Sequence, residues 1–135
     1  MALTTERHTT RHDGTRYSDP VAADTKIFAG ALVVLNAAGD AAPGSTATGL
    51  TARGVAAATA DNTGGAAGDI AADVRKGVFR FNNSAGADEI TRAEIGDDCY
   101  IVDDETVAKT DGSSSRSVAG EIVDVDGIGV FVHFA

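Results

Sequence analysis

The sequence has 135 residues, a formal net charge of −9, one cysteine and no tryptophan. This length fits one domain with a terminal tail, and the acidic charge argues against a nucleic-acid partner, because binding to a phosphate backbone relies on clustered Lys and Arg. The single cysteine excludes an intrachain disulfide and fits assembly in a reducing cytoplasm.

The hydrophobic residues predict a thin core. They make up 43% of the chain, but 25 of them are alanine and five are phenylalanine. Small side chains bury little area each, which favours an oligomer or a protein that docks onto a larger partner. The longest run of large aliphatic residues, 32–35, is too short to span a bilayer, and the N-terminus lacks the apolar segment of a secretory signal. We therefore expect a soluble protein that acts without export and without a membrane partner.

The first residues predict an extended N-terminal arm. Residues 1–19 contain three arginines, two histidines and three acids, so this segment is formally neutral and the rest of the chain carries the whole charge of −9. The segment shows no helical periodicity and has few large apolar residues, so it cannot fold alone. The composition changes near Asp19 and Pro20. With its connection, the arm is assigned to residues 1–24 and the domain to residues 25–135.

Two interpretations of the arm stay open. It is either a disordered terminus or a segment that becomes ordered on a partner. In the second case, threonine-rich extended chain adds to a sheet edge of the partner, and arginine makes forked contacts with acids. The candidate partner-binding residues are then Thr4, Thr5, Arg7, His8, Thr10, Arg11, Arg16 and Tyr17.

Short β-type runs separated by glycine follow the arm. Residues 25–44 predict a strand pair or one bulged strand, with Gly30 inside it and a turn at residues 38–40. Residues 51–70 predict a weak strand of small residues and an Asn-Thr-Gly-Gly turn. Residues 72–83 predict a strand in which Phe79 and Phe81 alternate with Arg80.

The second half of the chain predicts the only helix, over residues 88–95, ended by Gly96. A strand with Cys99 and Ile101 on one face comes next, followed by a strand and polar loop over 105–117. Two final strands surround a hairpin turn at residues 126–127. In the last strand one face is shared by three residues: Val130, Val132 and Phe134. No sequence period repeats. This spacing predicts a mainly β protein, a small antiparallel β-barrel or sandwich with one short helix and the extended arm.

Five acids in nine residues, 97–105, raise the question of a metal site. Asp97 and Asp98 are predicted at one end of a strand and Asp103 and Asp104 at the other, too far apart to share one ion, so these acids are interpreted as solvated turn residues. We predict no metal, cofactor or catalytic residue. A hydrolase that uses His133 with the acids remains a distant alternative.

Cys99 alternates with exposed positions inside a predicted strand. A cysteine in such a strand is expected to be a buried, inert thiol, because a nucleophilic cysteine would need a nearby base or a helix N-terminus.

Several runs occur in a familiar order: IFAGALVVLNAAGD, RGVAAATADN, KGVFRFNN, ITRAEIGDDCYIVDDETVAKT and VAGEIVDVDGIGVFVHF. Over residues 25–135 the chain resembles the capsid cement, or head decoration, proteins of tailed bacteriophages and Mu-like prophages. The resemblance implies a non-enzymatic virion protein, made in the host bacterial cytoplasm, which binds the outer surface of the expanded shell of major capsid protein. It also implies a homo-trimer. The alternative is another phage structural β domain, such as a head fibre base or a tail-associated protein. The arm is longer than the N-termini typical of this family, so its contacts are not implied residue by residue.

Overall fold

The computed structural model describes residues 2–135, which form mainly β structure, as the sequence predicts. The strands are β1 (Arg16–Pro20), β2 (Thr25–Ile27), β3 (Leu32–Leu35), β4 (Ala41–Pro43), β5 (Thr51–Ala56), β6 (Ala60–Asn62), β7 (Ala71–Arg75), β8 (Gly77–Phe81), β9 (Asp98–Ile101), β10 (Val107–Ala108), β11 (Val118–Val125) and β12 (Val130–Phe134). Two one-turn 3-10 helices, Gly86–Asp88 and Arg92–Glu94, lie between β8 and β9.

The strands form a sandwich of three antiparallel sheets. The first sheet has the order β1-β7-β5-β3-β4, the second has the order β10-β9-β11-β12-β8, and β2 pairs with β6 in a small third sheet. One isolated parallel bridge lies beside the edge strands of each large sheet, Val21 with Ala41 in the first and Asn82 with Thr106 in the second. Neither sheet closes into a barrel, so of the two predicted architectures the sandwich fits.

Two hydrophobic cores flank the first sheet. One face of that sheet, with Val33 and Val74, packs against Ile27 of the small sheet. Its other face, with Leu32 and Val34, shares a larger core with the second sheet. Successive residues of a strand point to opposite faces, so β3 supplies both cores with four consecutive apolar residues. The first sheet is therefore the middle layer of the sandwich.

The two large sheets are structural repeats of each other. β1, β3, β4, β5 and β7 of the first sheet occupy the same places, in the same order, as β8, β9, β10, β11 and β12 of the second. The register agrees as well: Leu32 lies opposite Val55 in the first sheet, and Asp98 lies opposite Glu121 in the second. We call residues 16–76 the first repeat and residues 77–135 the second. No period repeats in the sequence, so this repeat is visible only in the fold.

One glycine holds the same position in both repeats. Gly54 of β5 and Gly120 of β11 each follow a bulge and face a neighbouring strand so closely that an added Cβ atom would overlap a backbone carbonyl oxygen. That oxygen belongs to Arg75 beside Gly54 and to His133 beside Gly120. Only glycine permits two backbones to approach so closely. Both repeats therefore require glycine at the same position.

The predicted helix over 88–95 is wrong, because side chains capture the backbone groups that a helix would use. The Asn83 side chain accepts a hydrogen bond from the Ile90 amide at 2.9 Å and donates one to the Ile90 carbonyl at 2.8 Å. Ile90 is thereby fixed in the larger core, 1% exposed. The chain around it forms two separate 3-10 turns instead of one helix.

Three predicted boundaries also need correction. The ordered domain begins at Arg16 and not at residue 25, because β1 pairs with β7 along its whole length. Gly30 lies in the turn between β2 and β3 and not inside a strand. Residues 72–83 form two strands instead of one, divided at Lys76. The alternation of Phe81 with the exposed Arg80 is confirmed.

Candidate functional site

Residues 2–15 form the arm as the structure has it. They contain no strand or helix, and all but the half-buried Gly14 are exposed. Six of the eight predicted partner-binding residues lie in this open segment: Thr4, Thr5, Arg7, His8, Thr10 and Arg11. The arm continues from β1, which is an edge strand of the first sheet. The remaining two predicted residues, Arg16 and Tyr17, belong to that strand and make contacts within the domain.

A compact group of side chains, which we call the arm-root cluster, surrounds Tyr17. The guanidinium carbon of Arg53 lies 3.6 Å from the centre of the Tyr17 ring, the ammonium of Lys76 lies 5.5 Å from it, and the His12 ring stacks on it at 4.8 Å. Arg53 also donates two hydrogen bonds to Asp19, at 2.7 and 3.0 Å. The cluster ties the start of the domain to β5 and to the end of β7, and the arm leaves from it.

Arg16 is held by the domain in a weaker way. Its guanidinium donates to both carboxylate oxygens of Asp73, at 3.1 and 3.3 Å. This hydrogen bonding, together with the charges of Arg16 and Arg75, lowers the pKa of Asp73 below its ordinary value. The pair is largely exposed, so it contributes little to stability, and that contribution is lost as the pH falls through the folded-state pKa of Asp73.

The second repeat places apolar side chains where the first has the arm-root cluster. By strand register, Phe79 and Phe81 correspond to Tyr17 and Asp19. In the same way Phe134 corresponds to Lys76. Phe134 packs against the other two rings, with centroids 6.3 and 5.7 Å away. The bulge residue Arg53 corresponds to Ala119. The same four positions therefore hold polar or charged side chains in the first repeat and apolar side chains in the second.

The acidic run at residues 97–105 contacts the rest of the domain through its backbone carbonyl groups. The Asp104 carbonyl accepts a hydrogen bond from Leu32 of the first sheet, and the Glu105 carbonyl accepts one from Asn82 at the end of β8, both at 2.8 Å. Across residues 2–135, no group of three or more His, Cys, Asp or Glu side chains is arranged to hold a metal ion. The turn therefore joins the two large sheets.

His133 lies apart from most of that run. It is exposed on the outer face of the second sheet, the face turned away from the larger core, and its cross-strand neighbours are Glu121 and Val78. Asp98 is one strand further along the same face. The structure thus sets His133 beside Glu121, on the same face as Asp98 and apart from the acids of the turn.

Cys99 is fully buried, as its strand position predicts, and its burial raises the pKa of the thiol to about 12. An unfolded cysteine has a pKa near 8.5, so the thiolate fraction at neutral pH is lower in the folded state by a factor of roughly three thousand.

We expect iodoacetamide to label Cys99 at least about a thousandfold more slowly in native protein than in urea-unfolded protein at pH 7.5. Mass spectrometry of timed samples measures both rates. Rapid labelling of native protein would show that β9 opens easily and would contradict the burial. The thiol also serves as a probe of unfolding in the variants described below.

A groove of about 690 Å³ lies where residues 48–52 of the first repeat meet the second sheet. The charged and ionisable residues that line it on the second sheet's side are Asp98, Arg116, Glu121 and His133. Asp98 and Glu121 are directly opposite each other across β9 and β11, so two exposed carboxylates stand side by side. We call this surface, with Asp98, Tyr100, Val118 and Glu121, the acidic face.

Sequence reasoning missed the domain residues of the arm-root cluster. Arg53 and Lys76 are far from Tyr17 along the chain and carry no local motif, and only strand pairing brings the three together. The acidic face was missed for the same reason.

Comparison with protein-family models, with curated proteins and with solved structures found no match in any of the three. Within the described chain, no helix has the length and apolar character needed to cross a membrane.

Proposed function

We propose that this protein is a structural component of a phage virion. It binds the outer surface of the expanded capsid and stabilises the lattice of major capsid protein against the pressure of packaged DNA. The observation that carries the proposal is the arm: residues 2–15 are almost entirely exposed, contain no strand or helix, and continue an edge strand of a β domain. The resemblance of residues 25–135 to capsid cement proteins supports the same assignment.

The arm has the chemistry for binding an extended protein surface. Its threonines favour β conformation, so its backbone can add a strand to a sheet edge of a capsid subunit. Arg7 and Arg11 supply forked donors for carboxylates. The whole net charge of −9 lies in the domain, which suits a position outside the shell, away from DNA.

The proposed mechanism is stabilisation by preferential binding. A ligand that binds only the assembled lattice lowers its free energy by mass action, without any chemical step. Weak contacts repeated around an oligomer, such as the proposed homo-trimer, become strong through effective concentration, because each further arm binds as an intramolecular event. No cofactor, nucleic acid or membrane takes part in this mechanism.

The test is co-sedimentation of purified protein with expanded capsids that lack it. We expect saturable pelleting at hundreds of copies per capsid, and a rise in the temperature at which the shells rupture. Pelleting only with tails, at few copies, would favour the head-fibre or tail-associated alternative. Binding to neither would contradict a virion attachment role.

A further inference from the structure

Four strands form the edges of the two large sheets: β1, β4, β8 and β10. An open edge can pair with another chain, and natural proteins block such edges with proline or by covering them. β1 ends in Pro20 and β4 ends in Pro43. β10 has only two residues, and its Val107 amide is bonded to the Asn82 carbonyl. β8 contains no proline, and among residues 2–135 it has no strand neighbour on one side.

The free side of β8 presents four backbone groups. Asn82, just after β8, donates to the Glu105 carbonyl at 2.8 Å and accepts from the Val107 amide at 3.0 Å, so its backbone groups point away from β12. In a strand, alternate residues direct their N–H and C=O groups to the same side. Val78 and Arg80 therefore each present one N–H and one C=O on the free side of β8.

The one charged residue of β8 does not block this edge. Charged side chains on an edge strand often prevent pairing with another chain. The Arg80 guanidinium, however, turns sideways onto its own sheet, where it lies 3.9 Å from an Asp126 carboxylate oxygen and 5.9 Å from the centre of the Phe131 ring. The Arg80 side chain thus lies on the β12 side of its strand, and the free side stays open.

We propose that β8 pairs with β8 of a second copy of this chain, antiparallel and about a two-fold axis at Phe79. Val78 of each copy then lies opposite Arg80 of the other copy. Four hydrogen bonds join the two strands, because each of these two facing pairs exchanges two bonds. The five-stranded second sheets of the two copies become one continuous sheet of ten strands.

The register of this pairing follows from the hydrogen bonds already made inside the chain. A shift by two residues in one direction sets Arg80 against Arg80, and Val78 against Asn82, whose backbone is already bonded. A shift in the other direction sets Arg80 against Lys76, whose amide is bonded to the residue before β1. Only the register centred on Phe79 uses every free backbone group once and keeps like charges apart. The partner is a second copy because β8 is complementary to itself.

The side chains fit the same register. Phe79 is half-buried and packs against the larger core. Facing residues that exchange no hydrogen bond approach most closely, to about 4.5 Å between Cα atoms. The two Phe79 rings therefore meet across the axis as an aromatic cross-strand pair and extend the core. Val78, which is 50% exposed, is covered by the aliphatic stem of Arg80 from the other copy.

The contact is isologous, so two copies close it completely. It is additional to the proposed homo-trimer, which needs a three-fold contact. The pairing uses no residue of the arm, so the arm stays free for the capsid. The inference goes beyond the proposed function, and its test needs no capsids, so either can fail without the other.

Sedimentation equilibrium of the full chain over a range of concentrations measures the association. We expect twice the 13.6 kDa chain mass at high concentration. Val78→Lys should raise the dissociation constant at least about tenfold, because it places a like charge opposite Arg80 at two symmetric sites. Val78→Glu loses the same apolar group but sets an opposite charge there, so it should dimerise more tightly than Val78→Lys.

Val118→Lys is the matched control, because Val118 is similarly exposed, at 43%, on the central strand of the same sheet. It should leave the dissociation constant unchanged, and thermal unfolding should show that all variants are folded. Hydrogen exchange followed by NMR locates the contact, since the amides of Val78 and Arg80 should exchange more slowly as the protein concentration rises. A monomer at high concentration would overturn the proposal. So would an oligomer that Val78→Lys leaves intact, equal weakening by the two Val78 variants, or exchange at these two amides that does not depend on concentration.

Discussion

Replacing Gly54 or Gly120 by alanine should destabilise the domain by about 3 kcal/mol, the cost of forcing an extra methyl group into a fully packed site. At both positions the new Cβ would overlap a carbonyl oxygen of the paired strand, and a backbone atom cannot rotate away as a side chain can. Gly54→Ala should lose more stability than Gly120→Ala, because the φ of 147° at Gly54 is also unfavourable for any residue with a Cβ. Such a loss is a large share of the roughly 5–15 kcal/mol that stabilise a typical domain.

Urea unfolding followed by circular dichroism measures this effect, with Cys99 labelling as an independent probe. Gly127→Ala is the control, because the hairpin turn leaves open space where its Cβ would lie. That variant should remain within about 0.5 kcal/mol of wild type. A Gly120→Ala protein as stable as the control would show that the close approach of β11 and β12 is not fixed, and the steric equivalence of the repeats would fail.

Asp19→Ala should cost about 2 kcal/mol, because it leaves the Arg53 guanidinium without its carboxylate partner in a mostly buried site. Asp19 is 8% exposed, but the contact of Arg53 with Tyr17 and its remaining exposure limit the loss below that of a fully buried ion pair. Asp73→Ala removes the exposed partner of Arg16 and is the matched comparison. It should cost clearly less than Asp19→Ala does, because water screens the exposed pair.

The residues at the same positions of the second repeat suggest a more specific double variant. Phe81 and Ala119 occupy the places of Asp19 and Arg53, so the double variant Asp19→Phe with Arg53→Ala replaces the ion pair by the apolar pair of the same fold. Replacing a buried ion pair by apolar residues is often neutral or stabilising. The double variant should therefore recover at least half of the stability that Asp19→Ala loses. Equal stability of the double and single variants would show that the two positions are not equivalent.

The parts of the fold that follow from local pattern were predictable. Val130, Val132 and Phe134 are buried on one face of β12, as their spacing indicates, and Asp126 forms the hairpin turn with a backbone bond to Gly129 at 3.0 Å. Cys99 is buried as alternation predicts. In these strands the period of two residues reports directly which side chains point inward. The mainly β class followed from the same signal.

The parts that depend on distant residues were not predictable. β1 contains Arg16, Ser18 and Asp19, and it is a strand because β7 lies beside it. The predicted helix does not form because the side chain of Asn83, seven residues before Ile90, binds the backbone amide and carbonyl of Ile90. The repeat is hidden since residues 32–56 and 98–122 share two identities in 25 positions, at Ala42 with Ala108 and at the paired glycines. Only the strand register shows that the two repeats correspond, and the register cannot be read from the composition.

The candidate site also has a part that local sequence predicts and a part that depends on distant residues. The arm was predictable from composition, because neutral, threonine-rich sequence with few large apolar residues cannot form a core of its own. Its boundary was set too late, since the strand that anchors it is polar. The arm-root cluster and the acidic face could not be found in the sequence, because each is assembled from strands distant along the chain. The sequence identified the segment that we propose binds the capsid, and the structure added how that segment is anchored to the domain.

The most direct test of the account compares two truncations on expanded capsids. A protein that starts at Arg16 keeps β1 and its ion pair, so it should unfold within about 0.5 kcal/mol of the full chain. It should nevertheless lose at least about tenfold in capsid affinity, because the segment proposed to bind the capsid is gone. A protein that starts at Pro20 lacks Asp19 and most of β1, so it should be unstable and cannot separate binding from folding. If the protein that starts at Arg16 pellets with capsids as well as the full chain does, the arm is not the attachment and the central claim is contradicted.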